Sequence, residues 1–274
     1  MSTVVDPDFT LEDGEPLLDD DGNIIGYVIE VPEGGAIDPE TGLPSGGSGV
    51  NGSELNDSII GGVGSMDTVD AGLGNDSIKG RGDRDSLFGS LGDDSIRGGG
   101  GADFLLGGKD NDVVKGIKGN DTANGGVGDD FMKGNAGDDL LLGGAGKDTM
   151  GGGAGNDTLF GKGSDLLKGG AGEDTFVFEF SPAQEGDPAA WGDPRPYGRE
   201  SIIRDFNGAE GDKIEIFGLD AENPNQVTYN SNTGVLKVDG IKFVQLNEPT
   251  DFNLKNDVKI FTEEFTLDDE FEFF

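Results

Sequence analysis

Aspartate recurs at every ninth residue through the middle of this chain, at Asp67, Asp76, Asp85, Asp94, Asp103, Asp112, Asp121, Asp130, Asp139, Asp148 and Asp157. The series extends with one slip at each end, to Asp57 ten residues earlier and to Asp165 eight residues later, with Asp174 nine beyond that. Carboxylates at a fixed interval, each preceded by a glycine-rich stretch with uncrowded carbonyls, are hard oxygen donors and suit a hard divalent cation. The 274 residues include no His and no Cys, which removes imidazole acid–base chemistry, thiolate metal sites and disulfides together.

Two residues after each aspartate stands an apolar residue: Ile59, Val69, Ile78, Leu87, Ile96, Leu105, Val114, Ala123, Met132, Leu141, Met150, Leu159, Leu167 or Phe176. Upstream lies a glycine turn, clearest in Gly143-Gly144-Ala145-Gly146-Lys147-Asp148. The unit reads G-G-x-G-x-D-x-U-x, with U apolar. From about Gly52 to Val177 these units resemble the calcium-binding repeats of the RTX family, whose copies stack as a right-handed parallel β-roll.

Elementary geometry agrees with that resemblance. Glycine-rich turns adopt positive φ, which a Cβ obstructs, and a short strand with one inward apolar side chain follows each turn. Two repeats then complete one coil, so residues eighteen apart stack. The aspartates split into two columns: Asp67, Asp85, Asp103, Asp121, Asp139, Asp157 and Asp174 in one, and Asp57, Asp76, Asp94, Asp112, Asp130, Asp148 and Asp165 in the other. Strands about 4.8 Å apart bring like charges close enough to oppose folding, and the core is too thin to compensate. A cation between coils turns that repulsion into attraction.

In RTX proteins the repeat aspartate ligates Ca²⁺ together with carbonyls of its own turn and of the turn one coil away. Carried over, the resemblance implies that all fourteen aspartates are side-chain ligands. It implies carbonyl ligands from Gly72, Gly74, Gly92, Gly99, Gly101, Gly108, Gly119, Gly126, Gly128, Gly137, Gly144, Gly146, Gly153, Gly155, Gly170 and Gly172. Roughly eight to twelve ions are expected. Sites are expected to be distorted where Asp83 or Asp110 takes the fourth position, where Ile117 or Asn135 takes the second, at the shortened repeat containing Lys162, and at the slip near Met66.

The expected fold is all-β: a β-roll solenoid over residues 52–178, an acidic N-terminal segment with a short hairpin and linker over 1–51, a β capping region over 179–262, and a tail over 263–274. The strand-like runs at Ile202 to Phe206 and Gly211 to Ile216 resemble the segment that closes the roll in secreted RTX proteases; Asp205 and Asp212 are either a terminal calcium site or, as the preferred reading, surface acids. Val235 to Val238 and Ile241 to Leu246, joined by Asp239-Gly240, read as a hairpin. Trp191 and Tyr197 are read as anchors of a Pro/Gly-rich loop.

Net charge is −36, which makes nucleic acid and anionic membrane surfaces poor partners. No stretch is apolar for long enough to form a membrane helix. Residues 1–45 hold twelve acidic and no basic residues, unlike a cleavable signal peptide. The ending Asp268-Asp269-Glu270-Phe271-Glu272-Phe273-Phe274 resembles the C-terminal signal read by type I exporters, so a secreted, extracellular or cell-surface protein is expected. No catalytic constellation is visible, and the chain is not expected to be an enzyme. Two roles fit: an extracellular structural or surface-layer protein that self-assembles under calcium control, or a calcium-dependent module presenting a roll face to surface polysaccharide or to another protein.

Overall fold

In a computed structural model of the chain, the described residues are 15–18, 24–30, 49–64, 66–179, 201–217, 227–238, 241–247, 249 and 251–261. They form a parallel β-solenoid of about seven turns. Alternate repeats contribute to two sheets. One has thirteen strands and stacks, among others, Ser58–Ile60, Ser77–Lys79, Ser95–Gly100, Val113–Lys118, Phe131–Ala136, Thr149–Ala154 and Leu166–Ala171. The other has ten and stacks Thr68–Asp70, Ser86–Leu91, Phe104–Lys109, Thr122–Val127, Leu140–Ala145, Thr158–Gly161 and Thr175–Glu179.

Register follows the eighteen-residue coil: Val114 lies beside Ile96 and Met132, and Ala123 beside Leu105 and Leu141. Period-2 alternation turns every U residue inward, and all fourteen are buried in one continuous core. The strands run longer than the three residues that the motif suggests. Through mid-roll the pairing continues into the glycine tract, as in Gly126 with Gly144 and Val127 with Ala145. Only the second and fourth positions of the motif need the left-handed region, at φ +105 for Gly126 and +150 for Gly128.

The sheets continue beyond the repeats at both ends. At the start, Glu15–Leu18 and Ile24–Glu30 form an antiparallel hairpin whose second strand joins Ser58–Ile60 in parallel. Beyond the repeats, Ser201–Ile203 and Lys213–Phe217 add a further coil in the same register. Ile241–Leu246 and Val258–Ile260 close that coil on the two sheets, and Val235–Val238 pairs antiparallel with Ile241–Leu246 as the hairpin signal predicts. Phe206 bridges roll and cap, with ring centroids 6.2 Å from Phe176 and 5.2 Å from Phe252. The turn residues Asp239 and Gly240, the loop holding Trp191 and Tyr197, and the 263–274 tail lie outside the described residues.

Candidate metal centre

Each repeat aspartate sits where the chain turns into its strand, and all fourteen are buried, none more than 3% exposed. Their side chains make two uninterrupted ladders. The N–H of Asp57 donates to Asp76 Oδ1, and the same bond joins Asp76 to Asp94, Asp94 to Asp112, Asp112 to Asp130, Asp130 to Asp148 and Asp148 to Asp165, at 2.7–3.0 Å. The second ladder links Asp67, Asp85, Asp103, Asp121, Asp139, Asp157 and Asp174 at 2.8–3.0 Å. It continues one rung further, from the Asp174 N–H to Asp212 Oδ1 at 3.1 Å. Asp212 is 2% exposed, so its reading as a surface acid is corrected: it occupies the aspartate position of the added coil.

Along the middle of both columns Oδ1 is thereby committed, and Oδ2 is not. Oδ2 of Asp76, Asp85, Asp94, Asp103, Asp112, Asp121, Asp130, Asp139, Asp148 and Asp157 is buried with no hydrogen-bond partner. A buried anionic oxygen without a donor is strongly unfavourable. Desolvation accordingly pushes these groups up from the usual carboxylate range, Asp85 and Asp121 to about 7, Asp94 and Asp157 to about 6 and Asp112 to about 8, with neighbouring aspartates adding to the rise. At the ends of the columns a main-chain N–H fills the gap, from Gly62 to Asp67 Oδ2 and from Asn207 to Asp212 Oδ2, both at 2.7 Å.

The first glycine of the motif makes room for that free oxygen. A Cβ on Gly107, Gly125, Gly143 or Gly152 would collide with Oδ2 of the aspartate five residues on. These glycines are absent from the ligand set read from the sequence, and their signal is their recurrence at position one. The glycines of that set serve a different purpose. A Cβ on Gly126 would strike the Gly108 carbonyl, one on Gly144 the Gly126 carbonyl, and one on Gly155 the Gly137 carbonyl, so turn carbonyls pack directly over the turns one coil away.

The departures from the motif do not break the turns. Asp83, Asp110, Ile117 and Asn135 adopt φ +70, +77, +99 and +81 and keep the path that glycine takes elsewhere. A second ladder, unforeseen from the sequence, runs outside the first. The Asn or Asp just before the repeat aspartate accepts from the next turn, as in Asp93 to Asn75, Asn111 to Asp93 and Asp129 to Asn111.

The donor set fits Ca²⁺: unpartnered carboxylate oxygens beside stacked carbonyls in a chain without His or Cys. Among the described residues no three His, Cys, Asp or Glu side chains converge on one point. An ion held here therefore draws most of its oxygens from main-chain carbonyls and water. The pattern of the RTX calcium-binding nonapeptide repeat (4 copies) matches at residues 51–86, 62–96, 80–114, 115–150, 124–159 and 152–179. Residues 51–179 are RTX calcium-binding repeats. No curated protein matches the chain. The RTX array thus coincides with the stretch over which both aspartate columns run, apart from the rung at Asp212.

Proposed function

We propose that Ca²⁺ binding between coils folds the RTX array, and that the chain is a secreted, non-enzymatic calcium-dependent structural or surface-assembly protein. The ten unpartnered, buried Oδ2 atoms carry this reading. Without a cation the columns are rows of desolvated like charges; with one, each orphaned oxygen gains a partner, and that binding free energy becomes folding free energy. The fourteen repeat aspartates supply the side-chain oxygens, and the turn glycines at positions two and four supply carbonyls.

An extracellular setting supports the same reading, because modules of this type bind in the range of extracellular calcium. Passage through a type I exporter as an unfolded chain fits a fold that forms only on arrival. Circular dichroism with and without chelator tests the proposal, together with an ion count by equilibrium dialysis. The expected result is a largely unfolded chain in chelator and β structure with roughly eight to twelve bound ions in millimolar Ca²⁺. Mg²⁺ should substitute poorly, because it gives up water reluctantly. A spectrum indifferent to chelation would refute the proposal.

A further inference from the structure

The third residue after the aspartate lies on the outer face of each sheet, and the RTX consensus leaves it open. In the thirteen-stranded sheet that position holds Lys79, Arg97, Lys115, Lys133 and Lys168, interrupted by Gly151, and Arg204 continues the row on the added coil. The register places them on successive strands: Lys79 beside Arg97, Arg97 beside Lys115, Lys115 beside Lys133. The same position in the ten-stranded sheet holds Asp70, Phe88, Leu106, Asn124, Leu142 and Phe160, with no cation. A chain of net charge −36 thus sets six of its 19 Lys and Arg residues in one straight row about 29 Å long, six strand spacings.

Like charges facing each other on adjacent strands oppose folding, and nothing among the described residues forms an ion pair with them. The ion pairs of Lys213 with Asp257 and of Lys259 with Glu215 lie away from the row, in the cap. Lys133 instead sits 5.1 Å over the Phe131 ring, and the charge of Lys168 works against the burial that pushes the Asp205 carboxyl up. At one end of the row Lys79, Arg81, Arg97 and Lys118 surround a groove of about 440 Å³ floored by Gly98 to Gly100. At the other, Arg204 borders a groove of about 580 Å³ lined by Asn232, Thr233, Gln245 and Asn247.

We infer that this face binds an extended acidic polysaccharide, with the cation row opposite successive carboxylates or sulfates and the amide-lined groove taking sugar hydroxyls. The inference deepens the surface role proposed above and rests on the calcium-folded roll. A single straight row suits one flexible chain. The amide groove suits hydroxyls rather than stacked bases. Each bound Ca²⁺ cancels two negative charges, so calcium both builds the row and thins the field around it.

The test uses the full chain in millimolar Ca²⁺, titrated calorimetrically with an octamer of 1,4-linked uronic acid and with a neutral glucose octamer. Binding of the uronate alone is expected, weakening as salt rises. Arg97→Gln/Lys115→Gln/Lys133→Gln should lose about tenfold or more in affinity. Lys109→Gln/Lys147→Gln/Lys255→Gln, with the same change in charge off the row, should stay within about twofold. Equal losses in both variants, no saturable uronate binding, or tighter binding of a single-stranded oligonucleotide would overturn the inference. So would calcium-driven association, measured by sedimentation without sugar, that the row variant abolishes; that result assigns the face to a second copy. Circular dichroism of the same samples separates the two claims: a folded chain that ignores the uronate sinks only the face, whereas a chain that calcium leaves unfolded sinks the calcium reading and the face with it.

Discussion

Leu105 is fully buried, stacked between Leu87 and Ala123 in the ten-stranded sheet. Leu105→Asp removes about 1.5–3 kcal/mol of apolar burial. The new carboxyl is best kept neutral there, and holding protonated at about pH 7 a group with an ordinary pKa near 3.9 adds about 4 kcal/mol. The total is about 6–7 kcal/mol. If folding is linked to roughly eight to twelve ions, this penalty spreads over all of them, and the calcium midpoint rises by roughly two-and-a-half- to fourfold. Lys109→Asp, at an exposed position on the same strand, should leave the midpoint within about a factor of 1.2, since surface changes stay near 0.5 kcal/mol. Calcium titrations followed by circular dichroism measure both. At about pH 5 the protonation penalty falls to about 1.5 kcal/mol, so the gap from wild type at the same pH should narrow. Equal midpoints for the two variants, or a gap indifferent to pH, would refute the inward register and the reasoning built on it.

A Cβ on Gly143 would meet Asp148 Oδ2 and approach Met150 Cε at 3.0 Å, whereas one on Gly151 meets only the Lys168 carbonyl at 4.0 Å. Gly143→Ala should therefore lower calcium affinity and stability by about 1–3 kcal/mol, and Gly151→Ala should be neutral or slightly stabilising in thermal unfolding. In chelator, carboxyls such as Asp85 at about 7 and Asp112 at about 8 sit above their unfolded value, so the folded form binds more protons. The metal-free roll should gain stability as pH falls from about 8 toward 4 and level off below, with β structure appearing in acid without calcium. Deleting residues 263–274 should hold the protein inside cells with an intact type I exporter, leaving calcium-induced folding of the purified chain unchanged; undiminished export would place the address elsewhere.

The two columns are legible in the sequence because a nine-residue aspartate period and an apolar residue two places on are properties of the chain's order alone. How the carboxylates divide their oxygens is not. The bond from the Asp112 N–H to Asp130 Oδ1 joins residues eighteen apart and exists only once coils stack. The first glycine is hidden for a related reason: Gly125 looks like any turn glycine, yet its φ is not positive, and what matters is the space it leaves under Asp130. Asp212 passes for a surface acid because its repeat lacks the glycine run, while its place beside Asp174 is set by the pairing of Lys213 with Thr175. Ile117 and Asn135 look like faults in the motif and nevertheless hold the same left-handed turn, at the strain a side chain brings there.

Two repeats per coil give the chain a grammar with two periods. The carboxylate columns repeat every nine residues, but the identity of a face repeats only every eighteen. Loss or gain of one nonapeptide would leave each remaining unit with its aspartate, its glycines and its inward residue, and the solenoid would close as before. Every cation downstream of the change would nevertheless move to the opposite sheet, cutting the row from Lys79 to Lys168 in two. A lineage that needs only the fold can drift in length by single repeats. One that needs the face must lengthen and shorten by pairs.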